Sequence, residues 1–462
     1  MRASGFSNEG SWLRRLLGYR SVPAMSRPTF HFELIGSVLG SLGAALLIAE
    51  FASLFAAETL GVENVHWVQA AAVSLVAAGN FSSAFIASWL SRQRRRPLMV
   101  IPRVVLAGVL MALALLEPDR ASLAPFLILL GVAAFAMALT VNVQSSIWHT
   151  NYPAASRGII WSRLMMLRLL VVAGTVQGAS WVLEQWPWAY RVIFPAGGLC
   201  MLGAAWAYGR IRVRGERGAI RLAASSRFHP LASFGVLRRD REYARYMLWQ
   251  MMSGGSLLMT AAVTVQALRD RFEVAWSSGA LSLVLIPMVV QVLAARPAGR
   301  LFDRIELTTF RGLNAGTFAI SRGLLLLGLV TGWWWCVLIG FGVQGMAGSA
   351  GAVAWNIGHT RFAPPHEAQL YMAIHLTLQG IRGLTLPFLG AWLYGYIGVY
   401  VILVGLVVQV LATVEFFLLK PPRPVTPGST GRESSRWLRP AGTVGLPGKG
   451  DFRLWPGVGR PK

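Results

Sequence analysis

Lysine, cysteine and acidic residues are all scarce in this chain of 462 residues. Charged residues amount to 13% of it, about half the share usual in a soluble domain. That shortage excludes an ordinary water-soluble enzyme. The two cysteines, Cys200 and Cys336, stand alone in apolar stretches. They exclude a disulfide framework and a thiolate metal site, and they read as small apolar packing residues. A phosphate-binding loop is also missing. The nearest run, from Gly445 to Gly450, lacks the spacing and the following helix, which excludes direct ATP hydrolysis. No metal, cofactor or enzymatic activity is expected. The first apolar run, after Phe32, is too long for the core of a cleavable leader and reads as an uncleaved anchor.

What is abundant is apolar. Hydrophobic residues make up 55% of the chain, and its mean hydropathy is +0.52. Runs of about 20 apolar residues, enough to cross a bilayer, recur from Phe32 to Leu419. The expectation is an all-α membrane protein of twelve transmembrane helices. They are predicted near 32–57, 66–90, 98–116, 122–148, 158–183, 190–209, 244–268, 277–300, 309–330, 333–357, 369–394 and 397–419. This gives a basic N-terminal arm (1–31), a six-helix bundle (32–209), a basic linker (210–243), a second six-helix bundle (244–420) and a tail (421–462). The tail is rich in Pro, Gly, Ser and Arg and is expected to be disordered.

The net charge is +24. In a soluble protein this would suggest nucleic acid, but here the arginines follow topology. They crowd the N-terminal arm, the loop from Arg92 to Arg96, and the segment from Arg210 to Arg245. The opposite loops hold few. By the positive-inside rule both termini lie in the cytoplasm, and the expected location is a bacterial cytoplasmic (inner) membrane. Membrane lipids are partners; nucleic acid is not. The basic linker reads as a solvated segment whose charge sets topology, with docking of anionic lipid as the sharper alternative.

The two halves resemble each other. ASWLSRQRRRP, from Ala87 to Pro97, has a counterpart in GRLFDRIE, from Gly299 to Glu306. The stretch from Trp148 to Pro153 has one from His359 to Pro365. Both offsets are near 210 residues, so a six-helix unit is duplicated. Two such halves can tilt about a site between them.

These loops resemble the major facilitator superfamily, whose signature has the form G-x-x-x-D-R-x-G-R-R. Gly299, Asp303 and Arg304 match the opening of the second copy; in the first, Ala87 and Ser91 replace Gly and Asp while Arg92 remains. The stretch from Trp355 to Met372 looks like a bacterial branch of largely unassigned substrate. The resemblance implies two six-helix bundles, alternating access, and gating by Asp303, Arg304, Gly299 and Arg92. It also implies that the fifth and eleventh spans border the cavity while the ninth is peripheral, and that the fourth and tenth face the cavity.

Ionisable groups deep in a membrane are functional candidates. Glu50 is read as the one acid well inside a span and as the candidate for proton coupling. Arg168, Arg322 and Arg382 lie near mid-span, and Arg suits carboxylate or phosphate. His375, Gln379 and Arg382, spaced i, i+4, i+7, share a helix face. Arg382 is the leading substrate contact, then Arg168, with Gln379, His375, Asn142 and Gln344; Arg322 is read as structural. His149 and His359 end the fourth and tenth spans as candidate gate residues or helix-ending caps. Gly342, Gly345, Gly348 and Gly351 suit either tight packing or a flexible gating helix.

The expected function is secondary transport of a small solute by alternating access, proton-coupled with an organic anion as substrate. Efflux of hydrophobic, amphiphilic or lipid-like compounds is the alternative. A third reading is a scaffold or sensor built on a transporter fold. One chain holds both halves of a cavity, so a monomer suffices.

Overall fold

Apolar runs in hydrocarbon must satisfy every backbone polar group internally, which forces them into helices. The structure, a computed structural model, describes residues 22–90, 93–216, 220, 235–357, 362 and 368–419. All of these belong to one unit, Met1–Pro422. Twelve spans follow one another.

The first is two helices, Arg27–Ala45 and Ala49–Glu58. The next five are Val65–Leu90, Arg95–Leu113, Leu123–Asn151, Ala154–Gln185 and Tyr190–Gly209. The second half opens with Arg241–Phe272, Trp276–Arg304 and Leu307–Thr331. It ends with Trp334–Ile357, Ala368–Ile397 and Val401–Leu418. By length and composition, 10 segments among the described residues can cross a membrane. The segment Ile374–Leu418 is two helices divided at Gly398, whose φ of 55° favours glycine. Val65–Leu90, at 26 residues, completes the twelve.

The two halves pack alike. The third helix lies on the sixth, the first on the sixth and the second on the fourth. The ninth lies on the twelfth, the seventh on the twelfth and the eighth on the tenth. Across the halves, the second helix packs on the eleventh and the fifth on the eighth. This is the pseudo-symmetry expected of a duplicated unit. One end of the bundle, here the termini face, carries Arg27, Asn151 and Leu418. The other, the distal face, carries Glu58 and Phe272.

Small residues set the tightest crossings. A Cβ on Gly79 would lie 2.7 Å from the Ala134 carbonyl oxygen, where the second helix meets the fourth. At the equivalent crossing of the eighth and tenth, a Cβ on Gly345 would collide with the Pro287 carbonyl. Gly342 and Gly348 have only ordinary contacts, near 3.9 and 3.7 Å. The glycine stripe of the tenth helix therefore serves packing at Gly345. Outward side chains such as Leu293 and Ile320 remain mostly exposed, as lipid-facing residues must.

Overpacking a tight crossing costs about 1–3 kcal/mol. Gly345→Ala is therefore expected to lower the melting temperature of the detergent-purified protein, while Gly348→Ala leaves it nearly unchanged. Equal effects would show that the Pro287 contact does not set this crossing.

Candidate functional site

Three polar clusters lie inside the helical bundle. The first is in the N-terminal half and centres on Glu33, which is 1% exposed. The helix carrying it begins at Arg27, earlier than the predicted 32, so Glu33 lies within the span rather than at its edge. Its carboxylate accepts hydrogen bonds from Gln144 Nε2 at 2.8 Å, Tyr152 OH at 2.6 Å and Trp148 Nε1. Burial, and then the Glu33 carboxylate itself, push the Tyr152 phenol well above its ordinary range. Tyr152 therefore remains a donor. Gln144 also donates to Tyr208 OH at 2.9 Å, and Arg168 Nη2 donates to Tyr208 OH at 3.1 Å and Ser37 Oγ at 3.0 Å. The Arg103 guanidinium lies 3.7 Å over the Tyr208 ring. One acid and two arginines are thus joined through a tyrosine and a glutamine.

The second cluster, in the C-terminal half, has no acid among the described residues. Arg382 Nη1 donates to the Gln250 carbonyl at 2.7 Å. Arg311 Nη2 donates to the Gln250 side-chain oxygen. Gln250 and Arg311 are 3% and 5% exposed. The Nε of each arginine is buried without a hydrogen-bond partner. No carboxylate bonds either guanidinium among the described residues. A Cβ on Gly254 would strike the Arg382 guanidinium, so this glycine makes room for it. Nearby, Gln379 accepts from Trp355 Nε1 at 2.7 Å, and the buried His375 ring lies 5.7 Å from Trp355. Arg322 donates to Gln344 at 2.8 Å.

The third cluster joins the halves at the distal face. Glu58 pairs with Arg269. Val65 N–H donates to Gln266 Oε1 at 2.7 Å, and Ser277 N–H to Glu184 Oε2 at 2.9 Å. Trp276 of the second half lies with its ring 5.4 Å from Phe51 and 6.4 Å from Phe55. It is 5% exposed. These contacts seal the distal end.

Glu50 occupies the first turn of Ala49–Glu58. The break before it runs through Leu46, Leu47 and Ile48, with Ile48 extended at φ −70°, ψ 151°. A carboxylate at a helix N-terminus is electrostatically favoured. Asp303 and Arg304 are exposed at the end of the eighth helix, and a Cβ on Gly299 would meet nothing within 4 Å. Arg92 and His359, and the side chains of Asn142 and His149, lie outside the described residues.

Glu33 and Arg311 are not legible as interior charges in the sequence, because spans predicted to start at 32 and 309 place both in a first turn; the helices begin earlier, at Arg27 and Leu307. A usable signal was present: Gln144, Trp148 and Tyr152 fall at i, i+4, i+8, a single face of donors. The distal seal left no such spacing.

The architecture is that of solved major facilitator transporters. The Major Facilitator Superfamily model matches residues 267–458. The nucleoside transporter NupG is similar at 12% identity and TM-score 0.65, covering 84% of this chain and 99% of that one. A D-xylose-proton symporter matches at 15% identity and TM-score 0.65, covering 86% and 99%. The xylose transporter XylE from E. coli matches at 15% and 0.63, covering 87% and 99%. No curated protein matches the chain in sequence. This is a polytopic membrane protein of the major facilitator fold, and the resemblance read from its loops to that superfamily holds.

Two outcomes follow. Hydrogen bonds to a charged group contribute about 1.5–3 kcal/mol each. Tyr152→Phe is therefore expected to lower the melting temperature clearly; an unchanged melt would remove Glu33 from the structural core. Trp276→Ala should admit a membrane-impermeant thiol reagent from the distal side to a cysteine placed at Gln177. If labelling is no faster than in the Trp276 parent, the indole is not the seal.

Proposed function

We propose that the chain is a secondary active transporter that moves an organic anion by alternating access, with Arg382 as the leading substrate contact. The observation that carries this is the pair Arg311 and Arg382, bonded by no carboxylate among the described residues and converging on Gln250. An arginine inside a membrane protein is costly unless something meets its charge. In the first half Glu33 supplies an anion within the same network. In the second half the substrate is the counter-charge. Arg382 is partly exposed while Arg311 is buried, so Arg382 is the one a ligand reaches. His375 and Gln379 share its helix face. Arg168, already engaged with Ser37 and Tyr208, is the secondary contact, with Asn142 and Gln344 on the facing helices.

Glu50 is the proposed proton site. It is partly exposed beside a break in the first helix, where loss of its charge on protonation favours a dry, closed passage. Asp303, Arg304, Gly299, Arg92, His149 and His359 are assigned to the gate at the termini face. With both termini in the cytoplasm, the sealed distal end is the outer gate of an inward-facing state. The relatives of like fold are named for nucleoside and xylose transport, which supports transport rather than catalysis. Small-molecule transport needs one chain only, in keeping with a monomer in the bacterial inner membrane.

The test is a thermal-shift panel followed by flux in proteoliposomes. A ligand that prefers the folded state raises its melting point. Small organic anions should stabilise the protein, and Arg382→Gln should abolish the shift. Gly254→Ala, which displaces the guanidinium but keeps its charge, should weaken it by about tenfold, the effect of about 1.4 kcal/mol. Stabilisation by lipophilic cations that needs Glu50 and ignores Arg382 would overturn the anion reading in favour of efflux.

A further inference from the structure

A groove of about 1380 Å³ opens at the termini face of the first half, between the first, third and sixth helices. Its lining has two zones. Toward the membrane interior it is apolar, with Val104, Leu202 and Trp206, each exposed by more than a third. At the rim stand Arg96, Arg210, Arg212 and Arg214, all exposed. The Arg210 guanidinium lies 5.3 Å over the Trp206 ring, where the two zones meet.

The rim is held in place. Asn151, 1% exposed, donates to the Arg212 carbonyl at 2.8 Å and accepts from Arg214 N–H at 3.0 Å. Asn151 also donates to Thr29 Oγ1 at 3.0 Å, and Ser26 Oγ donates to its carbonyl at 2.7 Å. One side chain thus fastens the arginine strand to both the first and the fourth helix. Among the described residues the one acid lining the groove, Glu216, already accepts from the Arg95 N–H at 2.6 Å. In sequence, 1–21, 221–234 and 420–462 each carry a net positive charge.

We propose that this groove is a binding site for an anionic phospholipid, with the phosphate against Arg210, Arg212 and Arg96 and an acyl chain along Trp206, Leu202 and Val104. The two zones decide the occupant. A soluble phosphate would use the rim and leave the apolar wall bare. A zwitterionic lipid would use the wall and leave the rim unneutralised. A basic cluster at a membrane surface attracts anionic lipid by Coulomb force, and the Asn151 clamp removes the entropy cost of arranging it. The site is separate from the arginines of the second half and does not depend on which solute is carried.

The experiment is native mass spectrometry of the full chain in detergent, titrated with dimyristoyl phosphatidylglycerol, dimyristoyl phosphatidylcholine or glycerol phosphate. Phosphatidylglycerol should be retained, with phosphatidylcholine much weaker. Arg210→Gln with Arg212→Gln should weaken phosphatidylglycerol retention about thirty-fold, at about 1 kcal/mol per arginine near the surface. Trp206→Ala should weaken it as well. The control pair Arg296→Gln with Arg300→Gln, exposed in the second half, should leave it unchanged. All variants should melt as the parent does in lipid-free detergent. Four results would each overturn the proposal. They are undiminished retention by the Arg210/Arg212 pair, an equal loss in the control pair, equal retention of phosphatidylcholine, and displacement of the lipid by glycerol phosphate at matching concentration.

Discussion

A guanidinium inside a bilayer must find its hydrogen bonds and its counter-charge within the protein, because hydrocarbon offers neither. This requirement organises the interior of the molecule. Arg103, Arg168, Arg311, Arg322 and Arg382 all lie well inside the spans. In the first half the arginines join a network with Glu33, Ser37, Gln144 and Tyr208, which stand on three helices. That network holds the first, fourth, fifth and sixth helices together through their polar sides, where apolar packing alone would leave charges stranded. In the second half Arg311 and Arg382 rest on Gln250 and its backbone, and Arg322 on Gln344. Duplication kept the helical frame and let the two interiors diverge, one holding a carboxylate beside its arginines and the other none among the described residues.

The same asymmetry runs through the faces of the bundle. At the termini face, Asn151 links the fourth helix to the first and to the strand after the sixth. In the second half, Tyr371 donates to Asp240 at 2.9 Å, and Tyr243 donates to the Tyr371 carbonyl at 2.8 Å. Each half is therefore tied up within itself at that end. At the distal face the ties cross from one half to the other, through Glu58 with Arg269 and Glu184 with Ser277. An ion pair exposed by about a quarter on both sides contributes only about 0–1 kcal/mol. The apolar contact of Trp276 with Phe51 and Phe55 carries more of the closure. A seal of that kind holds firmly enough to define a state and weakly enough to be reversed.

Much of the fold could be read from the chain because the bilayer leaves few choices. An apolar run of about 20 residues has to be a helix that crosses, and the repeat at Asp303 and His359 announced two halves. The interior was less legible. Glu50 and Arg382 stood out because each is a charge in an apolar run. Glu33 and Arg311 did not, since hydropathy blurs the first turns of a span and makes their residents look interfacial. The contacts that bind Arg382 to Gln250, or Trp276 to Phe51, join residues far apart in sequence. Periodicity reports which face a residue occupies and says nothing of what that face meets. The glycines of the tenth helix show the same limit: four look alike in the sequence, and the Pro287 carbonyl singles out Gly345.

The break in the first span has a mechanical meaning. Leu46 and Leu47 close tightened turns to Gly43 and Ala44, and the helix restarts from the Ile48 carbonyl. A helix without a continuous hydrogen-bond ladder bends there at low cost. The ten-residue piece beyond it, Ala49–Glu58, carries Phe51, Phe55 and Glu58, which join Val65 and Glu184 as the first half's share of the distal seal. The aromatic part of the seal is thus mounted on a jointed segment rather than on a stiff rod. The outer third of the first helix can swing away from Trp276 while Arg27–Ala45, with Glu33 and its partners, stays put. Opening on that side would pair the bending of one short lever with the parting of Val65 from Gln266 and Glu184 from Ser277.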